Sequence, residues 1–502
     1  MKKLKILMAA SECVPFAKEG GLADVVGVLP KHLARMGHDV RVVMPRYKRI
    51  DRDRCGLKEL PGVLVVPMGV IGNQYCSVWE GRIPGSDVPV YFLEHEGYYG
   101  RDGLYEVNNE GYLDNDNRFV FLSKAALELP KMIGFEPDLI HAHDWHTAAI
   151  PVLVNTTYAS DPYVGGKATV LSVHNMQHQG NFYEGLMDVL GIGWEHFTFL
   201  GLEKDGEVNL LKGGIYHATV LNTVSEGYAR EMQTPAYGWG LDGVVRERAA
   251  DLYGILNGVD YDDWNPEVDP HIAARYSAAE LSGKKLCKRD LQRTFGHPER
   301  DDVPLFGMVS RLVKQKGVDI LAEAIHRILA LDVQFVMLGA GEPWTHFYFG
   351  DIRNAYPEKF NIYVGYNNPL SHQIEAGADF FLMPSAFEPC GLNQMYSLRY
   401  GTLPIVRATG GLDDSVENFD EKTLAGTGFK FWSHDAGALF DTVGWAVHTW
   451  YHRKGAMEKL IANAMSKRFT WEDAAAKYEV LYERALRKRL GARAFDRRYG
   501  NK

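Results

Sequence analysis

Several short stretches of this chain carry residue types suited to gripping an anion or a polyhydroxyl ligand. Lys18-Glu19-Gly20-Gly21-Leu22-Ala23-Asp24 lies between an apolar run at 4–10 and a helical pattern at 22–36. Paired glycines let backbone N–H groups approach a phosphate, and a helix N-terminus adds positive potential to that of Lys18. A tight turn with a surface lysine would look the same. The stretch is no dinucleotide fingerprint: it does not itself read G-x-G-x-x-G, and the second apolar run ends at Arg46 rather than on a ribose-binding carboxylate. Nor does G-x-x-x-x-G-K-[ST] occur anywhere. Further on, Arg311 and Lys316 frame Ser310–Gly317 and form a plausible diphosphate clamp, a planar fork plus a point charge at a helix start. Two solvated bases are the plainer alternative.

His141-Ala142-His143-Asp144-Trp145-His146 closes another apolar run. Three histidines and a carboxylate invite a zinc-dependent hydrolase, yet the order is H-x-H-D-x-H. Strand alternation would send His141 and His143 to one face and Asp144 to the other unless the strand ends there. A polar wall is the competing reading. Glu388, in Phe387-Glu388-Pro389-Cys390-Gly391-Leu392, follows a strand at 380–383 and sits where open α/β sheets place catalytic carboxylates. It could equally be an acid at a helix start. Cys390 has no adjacent base and reads as a small buried residue. Asp51-x-Asp53 and Asp114-x-Asp116 have the spacing of a cation-binding pair but read as surface loops.

The elements that must position these residues alternate between strand and helix patterns. Strands are predicted at 4–10, 39–45, 138–142 and 168–174, with helices at 22–36, 119–133 and 145–156 and hairpins inserted between 57 and 95. After a polar interruption at 265–300 the rhythm restarts, with strands at 305–309, 334–338, 380–383 and 403–406 and a helix at 317–331. From 436 the chain reads as helical, with a basic, solvated tail after Arg484. This is the β-α-β rhythm of parallel sheets covered on both faces, in two doubly wound domains joined near 258–270. Gly20-Gly21-Leu22 in the first half has a counterpart in Gly410-Gly411-Leu412 in the second.

Composition narrows the class. The 502 residues are 46% hydrophobic and 24% charged, ordinary for a folded chain. A net charge of −9 argues against a general nucleic-acid or anionic-membrane binder, so any bound anion needs a local basic pocket. Five scattered cysteines without a C-x-x-C pair favour a reducing compartment. The N-terminal apolar run is broken by Lys5 and stopped at Ser11-Glu12, too short for a signal peptide, and no run approaches the ~18 apolar residues of a membrane span. A cytoplasmic protein is expected.

Taken together and in order, Lys18-x-Gly-Gly-Leu-Ala-Asp-Val, His141-Ala-His-Asp-Trp-His, Ser310-Arg-Leu-x-x-Gln-Lys-Gly, Glu388-Pro-Cys-Gly-Leu and Thr409-Gly-Gly-Leu-x-Asp closely resemble the bacterial glycogen synthases and plant starch synthases, glycosyltransferase family 5. The resemblance spans nearly the whole chain. It implies an α/β fold of the GT-B type, with two Rossmann-like domains facing across a deep cleft. Residues 1–260 would form the acceptor side and 261–475 the nucleotide-sugar side, with a helix and tail at 476–502 crossing back to the first domain. It further implies retaining transfer of glucose from ADP-glucose to the non-reducing-end 4-hydroxyl of an α-1,4-glucan such as glycogen, with no metal or other cofactor.

The resemblance also implies roles. Lys18, Arg311 and Lys316 would hold the diphosphate, helped by backbone around Gly20, Gly21 and Thr409-Gly410-Gly411, with Asp24 close by. Tyr366 would stack on the adenine. Glu388, with Cys390, Gly391 and Leu392 beside it, would meet the glucose hydroxyls. Asp144, His174 and Asn175 would line the first-domain wall near the reacting carbon, with Tyr98 and Asn257 as neighbours. Two positions stand out: Glu19 departs from type and brings a negative charge to the phosphate loop, and Tyr396 stands where related glycosyltransferases carry the second acid of E-x7-E, which is ordinary for this family. The alternatives are the same reaction with UDP-glucose, a metallohydrolase on His141, His143 and His146, and a non-catalytic glucan-binding protein.

Overall fold

The computed structural model describes residues 2–107 and 110–500. The chain divides into two compact units. Met1–Val224, Ala229–Ile255 and Trp471–Lys502 form the first, and Ser225–Tyr228 with Leu256–Thr470 form the second. The division falls at 255/256 and 470/471, against expected points of 260/261 and 475/476. The later one coincides with the first residue of the helix Trp471–Leu490, whose Trp471 side chain is buried.

Seven strands of the first unit are parallel, in the order Leu252–Gly254, Val220–Thr223, Ala168–Val173, Leu139–His143, Lys5–Ala9, Asp39–Pro45 and Pro89–Glu94. Such strands are covered on both faces, which is why they read as unbroken apolar runs. The hairpin region extends this sheet: Asn73–Arg82 pairs antiparallel with Pro89–Glu94, and Lys58–Glu59 and Leu64–Pro67 both pair with Asn73–Arg82. Chain order reverses between Lys5–Ala9 and Leu139–His143, so a crevice opens at their carboxyl ends.

The helix Gly21–Arg35 buries Leu22, Val25, Val26, Leu29 and Leu33, one stripe at helical spacing, and begins in the Gly20-Gly21 loop. The helix expected at 145–156 is two, Asp144–Thr147 and Ala149–Asn155. Pro151 has no N–H to give the carbonyl of Thr147, so one helical hydrogen bond is missing where the two helices meet. Asp114 and Asp116, expected in a loop, open the helix Asn115–Met132, and Asp114 pairs with Arg101 at 2.5 Å.

In the second unit six strands are all parallel, in the order Phe360–Val364, Gln334–Gly339, Leu305–Val309, Phe380–Met383, Leu403–Arg407 and Phe429–Phe431. Alternate residues feed separate cores: Phe306, Phe335, Phe380 and Leu382 on one face, Leu305, Val336, Phe381 and Met383 on the other. The order reverses between Leu305–Val309 and Phe380–Met383. The stretch 265–300 holds a helix, Ser282–Thr294, that its polar composition concealed. Its Lys284 is buried but gives its ammonium protons to the carbonyls of Ala376 and Ala378 and the hydroxyl of Thr402. Lys288 pairs with Asp379 at 2.7 Å.

Candidate active site

The loops at the two reversal points carry most of the residues that the motifs singled out. In the second unit, three loops leave the carboxyl ends of Leu305–Val309, Phe380–Met383 and Leu403–Arg407, and they are laced together. The Ala386 amide donates to the carbonyl of Gln315, and the Gly411 amide to that of Glu388, at 2.8 and 3.0 Å. Ser225 Oγ donates to the Pro389 carbonyl at 2.6 Å. Two glycines permit this closeness. A Cβ on Gly317 would lie 2.0 Å from the Pro384 carbonyl oxygen, and one on Gly411 would lie 2.0 Å from that of Cys390.

The lacing brings Lys316 to Glu388, Nζ to Oε2, at 2.5 Å. Ser385 Oγ also donates to that oxygen, at 3.2 Å. Glu388 is buried and Lys316 largely so. A charge pair under little water is electrostatically strong, and Lys316 keeps donors for a second anion. Arg311 is exposed and donates to Gln315 at 3.3 Å. Thr409 immediately precedes the helix Gly410–Ser415, whose N-terminus opens into the same loops. Gly391 has φ +69° and Leu392 precedes the helix Asn393–Tyr400. Tyr366 follows the outer strand Phe360–Val364 and is 87% exposed. The Cys390 thiol accepts the Asn257 amide N–H and is pushed up to about 12 by burial, which disqualifies it as a nucleophile. Asn257 is buried, with its Oδ1 unpaired.

The wall of the first unit is built around Asp144. The strand Leu139–His143 ends and the chain turns at once, with Asp144 at φ +54°, a strained value for a residue with a side chain. Its buried carboxylate accepts the amide of His174 at 2.6 Å and that of Asn175. Burial raises its pKa to about 7, and those two N–H groups oppose the shift. Asp144 thereby anchors the loop after Ala168–Val173. Burial depresses His174 to about 3, so its ring is neutral, and its Nε2 lies 3.0 Å from Nδ1 of His143.

The Lys18 loop differs from expectation. Glu12, which the motifs did not single out, accepts the amide N–H groups of Glu19 and Gly20 at 2.5 and 3.0 Å, so those donors are already engaged. It also accepts the Tyr105 hydroxyl at 2.5 Å. The only signal available for it was an acid at the end of the first apolar run, Ser11-Glu12. Lys18 pairs with Asp24 at 2.7 Å, and Glu19 reaches Arg49 at 3.5 Å. A Cβ on Gly20 or Gly21 would meet nothing within 4 Å, so the loop is open above its backbone. Tyr98 is on a separate short helix, Glu96–Tyr99, with its ring stacked on His95 at 4.2 Å.

The histidine triad does not converge. His141 bonds Tyr482 and Ser172, His143 bonds His174, and the His146 ring stacks on Tyr105 at 4.6 Å. Among the described residues no three His, Cys, Asp or Glu side chains are grouped to hold a metal ion.

The starch synthase catalytic domain family matches residues 5–247, and the group 1 glycosyl transferases match 292–466. Glycogen synthase 1 of Geobacter metallireducens is 93% identical over 500 residues, covering 100% of both chains. Glycogen synthase of Anaeromyxobacter sp. is 45% identical over 95% of this chain and 99% of its own. The chain belongs to the glycogen synthase family. Like other family members it is a glucosyltransferase, and the metallohydrolase and non-catalytic readings fall. The catalytic domain of starch synthase IV from Arabidopsis thaliana, solved with ADP and acarbose, superposes with a TM-score of 0.88 at 34% identity, covering 97% of this chain and 100% of that one. Sucrose-phosphate synthase from Thermosynechococcus elongatus shares the fold alone, with a TM-score of 0.58 at 16% identity over 96% of this chain and 98% of its own. The fold of this family member is GT-B, two Rossmann-like units in one chain.

Proposed function

We propose that this glucosyltransferase takes glucose from ADP-glucose and adds it, with retention, to the non-reducing-end 4-hydroxyl of an α-1,4-glucan. The observation that carries the reading is the Lys316–Glu388 pair at the reversal point of the second sheet. Breaking the anomeric C–O bond leaves positive charge on the sugar and negative charge on the departing diphosphate. Lys316, Arg311 and the helix N-terminus at Gly410 neutralise the diphosphate. Glu388 holds glucose hydroxyls, and its charge favours the developing cation. Tyr366 offers the adenine a face.

Asp144 is no anomeric nucleophile in this scheme. Its carboxylate accepts two backbone N–H groups, and its raised pKa leaves it part-protonated near neutrality. It holds His174 and Asn175 in place instead. Same-face attack by the glucan hydroxyl within an ion pair accounts for retention without a covalent intermediate. Having two bases and helix N-termini to balance the diphosphate, the reaction is proposed to need no metal or other cofactor.

The solved relative with ADP and acarbose supports an adenine nucleotide and a glucan-like acceptor. No described helix is long and apolar enough to cross a membrane. We propose a cytoplasmic enzyme whose partners are its donor and glycogen, with neither nucleic acid nor membrane. Parallel turnover with ADP-glucose and UDP-glucose, before and after dialysis against EDTA, tests the reading. Preference for ADP-glucose and survival of activity are expected. Equal turnover of UDP-glucose would overturn the donor, and loss of activity restored by a divalent cation would overturn the cation-free mechanism.

A further inference from the structure

His143 is not among the expected site residues and is completely buried, yet one of its ring nitrogens meets a ring nitrogen of His174, which is one of them. Its Nδ1 lies 3.0 Å from His174 Nε2, with the two rings inclined by 29°. Burial holds both imidazoles well below their ordinary pKa, so both are neutral and one proton is shared between the facing nitrogens. That proton has two possible owners. If His174 Nε2 carries it, His143 must carry its own proton on Nε2, a buried nitrogen with no hydrogen-bond partner. A buried N–H without an acceptor is the costlier orphan. If His143 Nδ1 carries the proton, Nε2 is only a bare lone pair, and every proton in the pair is bonded or accessible.

The second arrangement has a consequence for His174. Its Nε2 accepts, so its own proton resides on Nδ1, and the half-buried ring presents a neutral N–H donor. His141 keeps His143 in the required orientation. The two rings stack at 4.2 Å, and both nitrogens of His141 are held, Nδ1 by Tyr482 at 3.0 Å and Nε2 by Ser172 at 2.7 Å. Ser172 in turn donates to Asn222 at 2.7 Å. A donor fixed this way suits a sugar oxygen better than a ring free to exchange tautomers.

We infer that His143 is a positioning residue that fixes His174 as its Nδ1–H tautomer, so that the transferred glucose meets a hydrogen-bond donor there. The functional half rests on the reading of His174 as lining the wall near the reacting carbon, within reach of the sugar. Nitrogen-15 NMR on histidine-labelled protein reads the tautomer directly, with His174→Gln assigning the signal and no donor needed. The expected result is Nδ1–H for His174 in the wild type and Nε2–H, the form a free histidine prefers, in His143→Leu. The kcat of His143→Leu should fall about 10- to 100-fold, the scale seen when a supporting hydrogen bond behind a site residue is removed. His143→Asn, whose amide can donate from nearly the place of Nδ1, should recover about a third or more of wild-type kcat, and its dispersed spectrum would confirm folding. An Nε2–H signal in the wild type, or an unchanged Nδ1–H signal in folded His143→Leu, would overturn the assignment. Full activity in His174→Gln would instead overturn the sugar contact and leave the tautomer assignment standing.

Discussion

Lys316 and Glu388 lie 72 residues apart in the chain, yet their charged groups meet at 2.5 Å. The amide of Ala386 on the Gln315 carbonyl closes the same two loops from the backbone side. The cation proposed to balance the leaving diphosphate is therefore held by the carboxylate proposed to meet the sugar. Glu388→Gln should lower kcat far more than it weakens nucleotide binding. Lys316→Ala should cost on the order of 3–4 kcal/mol in kcat/KM, the scale for losing one preorganised donor. The double variant should lose less than the sum, because each single change leaves the other charge unbalanced. Steady-state kinetics with ADP binding measured beside it decides this, and near-wild-type kcat in Glu388→Gln would remove that residue from the chemistry.

Gly411 and Gly20 make opposite predictions from one geometric quantity. A Cβ on Gly411 would stand 2.0 Å from a backbone carbonyl oxygen, whereas one on Gly20 would touch nothing within 4 Å. Gly411→Ala should destabilise by about 1–3 kcal/mol or more, since backbone must move. Gly20→Ala should change stability by no more than about 0.5 kcal/mol. If a phosphate approaches the Gly20 backbone, its KM for donor should nevertheless rise. Thermal melts and donor titrations of the two variants separate packing from ligand contact.

Tyr366 is 87% exposed, so its removal should leave the melting temperature unchanged. Stacking on a base contributes about 1–3 kcal/mol in nucleic-acid sites. Tyr366→Ala should raise the ADP-glucose KM by a corresponding factor and spare glucan affinity. An unchanged KM would exclude the ring from the base site.

Asp144 should make stability fall as pH rises. Its folded pKa, about 7, lies above the ordinary carboxylate value, so between roughly pH 4 and 7 the folded state binds a proton that the unfolded state has lost. This contribution is complete below pH 4 and is lost as pH climbs through 7. Asp144→Asn keeps an oxygen for the His174 amide and does not titrate. Relative to the variant, the wild type should lose on the order of 3 kcal/mol between pH 4 and 8 in urea unfolding. Parallel pH profiles for the two proteins would refute the raised pKa.

The cysteines give an inexpensive check of burial. All five are free; Cys13, Cys76, Cys287 and Cys390 are buried, and Cys55 is partly exposed. A thiol reagent at pH 8 should modify at most one group quickly in native protein and five in denaturant. Cys390→Ser should retain activity, since its thiol only accepts the Asn257 amide.

Tyr396 shows how a difference from related transferases, ordinary for this family, becomes legible only in three dimensions. It occupies the second position of E-x7-E, and its ring lies 3.9 Å from Trp264 at an interplanar angle of 1°. Trp264 also stacks directly on His372, at 3.8 Å. A carboxylate there would have to sit against an aromatic face. One sequence shows the substitution but not the ring that rewards it.

Local order was enough to specify much of this protein. Alternating apolar runs and helical stripes state the two wound sheets, since period and burial are properties of neighbouring residues. The same holds for the glycine loops, for Glu388 at a strand's end and for the five ordered motifs, because strand-to-helix turns and their residue types are contiguous. Tertiary structure decided everything that depends on distant partners. It split the helix at Thr147–Ala148, buried Lys284 among carbonyls, and brought Glu12 under the Gly20 loop. It also dispersed His141, His143 and His146 to different partners. A charged or ring side chain takes its role from what faces it, and strand pairing across more than a hundred residues sets those faces.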